Sequence, residues 1–237
     1  MAAPGAAYIR YDCYMNFTAI DFETANEKGH PCALGLAVVE NGAIVRRESW
    51  LIRPYELNIP KFYSDIHGIT EDMVADMPEF GERWDAIRIF IENQNIVAHN
   101  AGFDIGVLKN ALDLYEIAYP RFSYGCTVEV ARKVWAKPQV VANHKLNTMA
   151  AHLGVEFRHH DASDDAYASA IIAIEAAKKA KAKTFEELLA RLGLRLCVFG
   201  EASSVRRRPG HDGATRTGSL KYVNGKFVRP KPKAPRL

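Results

Sequence analysis

No apolar run in the sequence approaches the roughly 20 residues needed to cross a bilayer, so no transmembrane helix is predicted. The first residues, MAAPGAAYIRYDCY, lack the basic start and long apolar centre of a secretory signal peptide. Cysteines are few and far apart, and no C-x-x-C pair occurs, which argues against a zinc site and a disulfide framework. We therefore expect a cytoplasmic protein with no membrane partner, in which residues 1–14 form an N-terminal extension. The cysteines, expected to be inert thiols, are Cys13, Cys32, Cys126 and Cys197.

The charge is distributed unevenly along the chain. With 237 residues, 48% of them hydrophobic, the chain is long enough for one compact domain with extensions. Residues 203–237 carry ten Lys or Arg and one acid, Asp212, which leaves 21 basic and 27 acidic residues in 1–202. An acidic body with a basic tail indicates a body that binds metal and a tail that binds a polyanion. The alternative is a tail that only solubilises the protein.

Two aromatic residues, Tyr222 and Phe227, lie among the cations of this tail. Aromatic rings between cations suit single-stranded nucleic acid, through stacking and phosphate contact. Alternatively, both rings pack a small hairpin around Asn224-Gly225 onto the body.

We expect deletion of residues 203–237 to weaken nucleic-acid binding and to flatten its salt dependence, because fewer counterions are then released on binding. The measurement is the affinity for a single strand over a range of salt concentrations, with and without the tail. An identical salt slope for both proteins contradicts the hypothesis.

Hydrophobic periodicity predicts three strands followed by helices that alternate with short strands. The strands are expected near 16–21, 32–40 and 43–52, and Asn41-Gly42 predicts a hairpin between the last two. This order predicts an α/β domain with a mixed sheet. A further strand is expected at 96–98, and helices at 78–93, 103–117, 127–135, 145–153, 162–183 and from Thr184, a possible cap.

Asp21-Phe22-Glu23 stands at the end of the first strand. Residues i and i+2 of a strand point to the same face, so the two carboxylates converge, as hard divalent cations require. Taken alone, such a pair is usually a solvated strand end.

Two helix starts supply further acids. Asp104 falls in the first turn of one helix, after His99-Asn100, and Asn100 is a plausible cap. Asp165 falls in the first turn of another helix, with Asp161 or Ser163 as cap and His160 in the preceding loop. A loop histidine is suited to proton abstraction near neutral pH. Each segment alone would usually be an ordinary capped helix start.

The three segments together resemble the motifs of the DnaQ-like, DEDDh-type 3′→5′ exonucleases, a family that includes the proofreading epsilon subunit of bacterial DNA polymerase III. The family patterns are D-x-E-T, H-N-x-x-F-D and H-x-A-x-x-D, with an H-G-I segment between the first two. The resemblance covers about 15–195 and implies a ribonuclease H-like α/β fold, in which helices flank a mixed five-stranded sheet. Residues 196–237 then form the basic tail. The matching segments are 21–24, 67–69, 99–104 and 160–165.

The resemblance also implies a role for each matched residue. His160 would be the general base, and the products would be nucleoside 5′-monophosphates. Thr24-Ala25 departs from the commoner Thr-Thr or Thr-Gly, which weakens the implied nucleotide contact at that point. The implied ligands of two Mg²⁺ or Mn²⁺ ions are Asp21, Glu23, Asp104 and Asp165, and the implied contacts to the 3′-terminal nucleotide are Thr24, His67 and Phe103.

The register of the third motif needs a choice, because two histidines and three acids lie close together. The family spacing selects His160 with Asp165, and it leaves Asp164 as a helix-start charge. His159 is then expected to be a solvated neighbour.

The sequence leaves the substrate open. We expect DNA with a single-stranded or mismatched 3′ end, in proofreading or repair, with DNA polymerase association as one setting. RNA trimming is an alternative within the enzyme class. A nucleic-acid-binding protein that keeps the fold without catalysis is an alternative outside it, and an assay with Mg²⁺ and then EDTA distinguishes the two classes.

Overall fold

The computed structural model describes residues 14–200 and two short strands in the tail. Within 14–200, the strands are β1 Phe17–Thr24, β2 Pro31–Glu40, β3 Ala43–Leu51, β4 Asn95–Ala98, β5 Ser123–Cys126 and β6 Cys197–Val198. The helices are α1 Lys61–His67, α2 Glu71–Val74, α3 Phe80–Arg88, α4 Ala101–Leu114, α5 Thr127–Val134, α6 Leu146–His152, α7 Ala162–Ala180 and α8 Phe185–Arg191. No helix in this described part is both long and apolar enough to cross a membrane.

One mixed sheet has the strand order β3-β2-β1-β4-β5-β6. β1, β2 and β3 form an antiparallel meander, and the Asn41-Gly42 hairpin between the last two is confirmed. β4 pairs parallel to β1 and to β5, while β6 pairs antiparallel to β5. The α/β class is confirmed, but the sheet has six strands instead of five. The sixth has two residues, too few to show a periodicity in the sequence.

The two faces of the sheet are covered by different helices. One core cluster joins Phe17 and Ala19 of β1 to α5, α6, α7 and α8. The other joins Ile20 and Phe22 of β1 to α3 and α4. Because side chains alternate along a strand, Asp21 belongs to the face that α7 covers.

Helix α7 packs close to the sheet, since many of its buried residues are alanines. Gly35 of β2 allows the first turn of α7 to approach the strand. A Cβ built at this position would collide with the backbone carbonyl of Ala162 and the amide nitrogen of Ser163. Gly35 is the register partner of Asp21. The first turn of α7 therefore lies beside the carboxylate of Asp21.

Two of the proposed helix caps are confirmed, and one is wrong. Asp161 accepts hydrogen bonds from the backbone N–H groups of Ser163 and Asp164, and Thr184 accepts one from Glu187. Asn100 occupies the cap position of α4, but its φ is +75° and its side chain forms no capping hydrogen bond. A capping side chain requires extended backbone, which Asn100 does not adopt.

In the tail, β7 Lys221–Val223 pairs antiparallel with β8 Lys226–Val228. The side chains of these strands, the rest of the tail and the extension before residue 14 lie outside the described residues. The hypotheses about Tyr222 and Phe227 concern that part of the chain.

Candidate active site

Three of the predicted carboxylates meet at the C-terminal end of β1. Asp21 and Glu23 extend from one face of β1, and Asp165 extends from the first turn of α7. Carboxylate oxygens of the three residues lie within 4.8 Å of one another. Glu23 and Asp165 are buried, while Asp21 is partly exposed to a cleft.

The fourth carboxylate, Asp104, lies beside this group and is buried in the first turn of α4. Its Oδ1 accepts a hydrogen bond of 3.0 Å from the backbone N–H of Phe22, which stands between Asp21 and Glu23. The register partners of β4 in β1 are Thr18 and Ala19, so the amide of Phe22 is left free for this bond. Asp104 is therefore fixed next to the group but is not one of its three closest members.

Burial and mutual repulsion raise the pKa values of these acids. Burial, together with the neighbouring charges of Asp165 and Asp104, raises the pKa of Glu23 to about 8. Burial raises the pKa of Asp104 to about 7, against the hydrogen bond from Phe22. The pKa of Asp21 lies well above its ordinary value, through burial first and then through Asp104, Asp165 and Glu23. At an effective dielectric near 20, two unit charges ~5 Å apart repel by roughly 3 kcal/mol.

This donor set fits divalent cations. All donors are carboxylate oxygens, which hard cations such as Mg²⁺ prefer. The members of the group repel one another when they are ionised, which raises their pKa values and favours a bound cation. The oxygens are already held together by β1 and α7, so little rearrangement is needed for binding.

We expect the metal-free protein to become less stable as pH rises from about 5 to about 8. The folded-state pKa values of Glu23 and Asp104, about 8 and about 7, exceed their unfolded values, so their stabilising contribution is present at low pH and lost as pH rises through those values. Thermal unfolding in EDTA, measured at several pH values, should show this decline, and Mg²⁺ should flatten it. At pH 8, Mg²⁺ at a hundredfold excess over its Kd should add about 2.7 kcal/mol, or about 5–10 °C in Tm. If the Tm does not change when Mg²⁺ is added, the metal site is contradicted.

Two histidines stand next to Asp165. His159 Nδ1 is 3.2 Å from Asp165 Oδ2, and the rings of His159 and His160 stack with centroids 3.9 Å apart. His159 is exposed, as expected of a solvated neighbour, but its contact with Asp165 was not predicted. His160 adopts a φ of +69°, its backbone N–H donates to Asp165, and its Nδ1 lies 4.0 Å from Glu23. Burial and the neighbouring His159 lower the pKa of His160, so its ring is neutral near pH 7.

His67 is held in one tautomer. Its Nδ1 accepts a hydrogen bond from the backbone N–H of Ile69, so its Nε2 carries the proton and donates to the carbonyl oxygen of Thr24 over 3.2 Å. Both ring nitrogens therefore have protein partners. Any contact that His67 makes with a nucleotide uses its face or its C–H edge.

His99 joins two parts of the cleft, a role that its sequence pattern alone does not predict. Its Nδ1 is 2.9 Å from Thr127 Oγ1, and its Nε2 is 2.9 Å from the carbonyl oxygen of His144. Burial lowers the pKa of His99 to about 4, so the ring is neutral and Nε2 donates to His144. The only sequence signal for this role was its place in the H-N-x-x-F-D segment.

The cleft above the carboxylates has a volume of about 1030 Å³ and two contrasting walls. One wall is apolar and carries Tyr63, Ile66 and Phe103. Ile66 and Phe103 are exposed, although both are hydrophobic. The other wall carries Arg132, Lys137 and Lys145. The cleft is also lined by Thr24, His67, His159 and His160. The three predicted nucleotide contacts, Thr24, His67 and Phe103, therefore border one space.

Comparisons with known proteins agree with this geometry. The family model described as Exonuclease, RNase_T, matches residues 18–173. The chain is 34% identical over 163 residues to a PolC-type DNA polymerase III of Clostridium perfringens, covering 68% of this chain and 11% of that protein. It is 32% identical over 157 residues to the PolC-type polymerase of Oceanobacillus iheyensis, covering 65% of this chain and 11% of that protein. The match thus spans about a tenth of these curated relatives.

Two solved structures share the fold. Exonuclease X in complex with 5′ overhanging duplex DNA matches with a TM-score of 0.60 and 27% identity, over 74% of this chain and 99% of that chain. Exonuclease I matches with a TM-score of 0.59 and 18% identity, over 69% of this chain and 41% of that chain.

Fold and site define a ribonuclease H-like nuclease domain whose carboxylates gather at one strand end. The chain belongs to the RNase_T exonuclease family. Within that family, its relatives and its motifs identify it as a DnaQ-like 3′→5′ exonuclease.

Proposed function

We propose that this cleft removes nucleotides from the 3′ end of DNA and releases nucleoside 5′-monophosphates. The observation that carries the proposal is the meeting of Asp21, Glu23 and Asp165 within 4.8 Å, beside a half-exposed histidine. DNA is favoured as substrate because exonuclease X was solved with duplex DNA and the PolC-type relatives are DNA polymerases. We propose single-stranded or mismatched ends, since their terminal base is free to enter the cleft.

Two divalent cations, Mg²⁺ or Mn²⁺, held by the four carboxylates would neutralise charge on the phosphate and on the attacking and leaving oxygens. The ligands would be Asp21, Glu23, Asp104 and Asp165. In the reaction, the oxygen of water forms a bond to the last phosphorus, and the bond from phosphorus to the 3′ oxygen of the preceding sugar breaks. The phosphate leaves with the terminal nucleotide, and the shortened strand keeps a 3′ hydroxyl.

His160 is the residue that we propose as the base, because His159 is already hydrogen-bonded to Asp165. His160 is neutral near pH 7 and has one ring edge near Glu23, so it can accept the proton of water at the carboxylates. His159 holds Asp165 in place. For the terminal nucleotide, Phe103 offers an exposed ring for stacking, and Thr24 and His67 border the same space.

We expect His160→Ala to lower kcat by about 10²–10⁴-fold, because a general base contributes that much. His159→Ala should have a smaller effect on kcat and should raise the Mg²⁺ concentration needed for half-maximal activity, since Asp165 then keeps only the hydrogen bond from the backbone N–H of His160 among these two contacts. Steady-state kinetics on a short single strand, with Mg²⁺ titrated for each variant, tests this. The reverse order of kcat values would exchange the roles of the two histidines.

The substrate class is tested with 5′-labelled single-stranded DNA, a duplex with a mismatched 3′ end, and RNA of the same sequence, each with Mg²⁺, Mn²⁺ or EDTA. A ladder that shortens from the 3′ end of DNA, absent in EDTA, supports the proposal. Degradation of RNA alone would indicate RNA trimming. Binding without cleavage under all conditions would indicate a non-catalytic nucleic-acid-binding protein.

Proofreading and repair are the settings that we propose. The PolC-type relatives favour association with a DNA polymerase. Stable co-elution of the chain with a replicative polymerase on gel filtration would support proofreading, whereas separate elution with full activity would support repair.

A further inference from the structure

The basic wall of the cleft consists of Arg132, Lys137 and Lys145, which lie at the end of α5, in the loop after it and at the start of α6. All three side chains are exposed. In the described part of the chain, none of them forms an ion pair with a carboxylate, whereas Arg47 and Lys109 elsewhere on the surface do. Among the described residues that line the cleft, they are the only Lys or Arg. Their charges are therefore available to a ligand.

The loop that carries these cations is fastened to the body of the protein. His144 Nε2 donates to the carbonyl oxygen of Trp135 over 2.7 Å, and the indole of Trp135 is fully buried. His99, in the turn between β4 and α4, donates to the carbonyl oxygen of His144. The Asn143 side chain accepts a hydrogen bond from the backbone N–H of Lys145 over 2.9 Å. Hydrogen bonds thus hold the loop near both of its ends, and they fix the position of the basic wall beside the carboxylates.

The charges of the cleft leave few routes for a nucleic-acid strand. Asp21, Glu23 and Asp165 repel every phosphate except the one that bound cations neutralise. The apolar wall, with Phe103 and Ile66, suits a base instead of a phosphate. Among the described residues that line the cleft, only those of the basic wall offer favourable charge to the phosphates on the 5′ side of the reacting linkage.

We propose that the basic wall binds the backbone of the substrate strand on the 5′ side of the linkage that is cut. This inference rests on the proposed function, since it assigns a strand direction to the same cleft. Lys and Arg contacts to phosphates carry no sequence information, so the wall favours polymers over single nucleotides without preferring particular bases. Its partner is a single strand that extends beyond the terminal nucleotide.

The test compares two triple variants that each remove one arginine and two lysines. The first removes the basic wall, with Arg132→Gln, Lys137→Gln and Lys145→Gln. The matched control removes exposed cations that do not line the cleft, with Arg121→Gln, Lys133→Gln and Lys179→Gln. Binding is measured with a single strand that has 3′-terminal phosphorothioate linkages. Activity is measured on an unmodified strand and on the p-nitrophenyl ester of thymidine 5′-monophosphate.

Each phosphate contact on a single strand contributes about 0.7 to the slope of log K against log salt concentration, so three lost contacts should reduce that slope by about 2. Between about 50 and 200 mM salt, the affinity of the wild type should therefore fall about eighteenfold more than the affinity of the basic-wall variant. For the basic-wall variant, the ratio of kcat/KM on the strand to kcat/KM on the ester should fall about tenfold or more. The control should retain the wild-type slope and ratio.

The outcomes separate this inference from the proposed function. If the wild type cleaves both substrates and the basic-wall variant keeps the wild-type slope and ratio, the inference is overturned while the nuclease stands. If the control changes as much as the basic-wall variant, the effect is one of net charge, and the inference is also overturned. A wild type that cleaves neither substrate with Mg²⁺ or Mn²⁺ contradicts the proposed function itself.

Discussion

Replacing Asp21 by Asn should abolish the nuclease activity and at the same time raise the melting temperature of the metal-free protein. The loss of activity follows because a bound metal supplies several kcal/mol of transition-state stabilisation. Each 1.4 kcal/mol corresponds to about tenfold in rate, so the rate should fall by at least about a thousandfold. The gain in stability follows because the carboxylate of Asp21 is desolvated by burial and is repelled by Asp104, Asp165 and Glu23. Asparagine keeps the shape and removes the charge.

Activity on a 3′-ended single strand and the Tm in EDTA at pH 8 are the two measurements for Asp21→Asn. The matched control is Asp85→Asn, which removes an exposed acid of α3 that does not line the cleft and should change neither quantity. The variant should also lose most of the rise in Tm that Mg²⁺ gives the wild type. Wild-type activity, or a Tm below that of the wild type in EDTA, would show that Asp21 is not part of a repulsive metal site.

Gly35→Ala should lower both stability and activity, although Gly35 lies inside strand β2 and does not line the cleft. The new Cβ would meet the backbone of Ala162 and Ser163, so α7 must shift at the turn that carries Asp165. Overpacking of this kind costs about 1–3 kcal/mol, and more where backbone resists. At about 2–4 °C for each kcal/mol, the Tm should fall by about 2–12 °C. The carboxylates of Asp21 and Asp165 would also separate.

Gly106→Ala is the control for Gly35→Ala, because it adds the same methyl group to an exposed position in α4 with no atom within 4 Å. That substitution should raise stability by about 1 kcal/mol, through helix propensity. The Mg²⁺ concentration for half-maximal activity should rise for Gly35→Ala and stay unchanged for Gly106→Ala. If Gly35→Ala retains the wild-type Tm and Mg²⁺ requirement, the close packing of α7 does not position Asp165.

Local sequence rules predict the α/β class and the place of each carboxylate on its strand or helix, whereas their meeting at one site is what the resemblance to the exonuclease motifs implies. Strand alternation places Asp21 and Glu23 on one face, and helix starts place Asp104 and Asp165 in first turns. These are local rules that need no tertiary information. The role of Gly35 could not be predicted, because a glycine inside a strand indicates a close approach without naming the partner. Here the partner is 127 residues further along the chain, at Ala162.

The wrong cap at Asn100 and the unpredicted contact of His159 have a common physical origin. Asn100 and His160 both adopt positive φ, next to Asp104 and Asp165 respectively. A left-handed residue turns the chain in a way that helix-cap rules do not anticipate, so Asn100 does not cap α4 and His159 is directed onto Asp165. Strained backbone of this kind is concentrated at functional sites. The basic wall was not predicted either, because the loop between α5 and α6 shows no hydrophobic periodicity.

The short helix α1 carries Tyr63, Ile66 and His67 along the cleft, yet it contains no buried residue. β1, in contrast, has strand neighbours on both sides and core clusters on both faces. Amide hydrogens of α1 should therefore exchange through local opening of small free-energy cost, while those of β1 should exchange only when the domain unfolds. The carboxylates would keep their arrangement while the opposite side of the cleft opens and closes around successive terminal nucleotides.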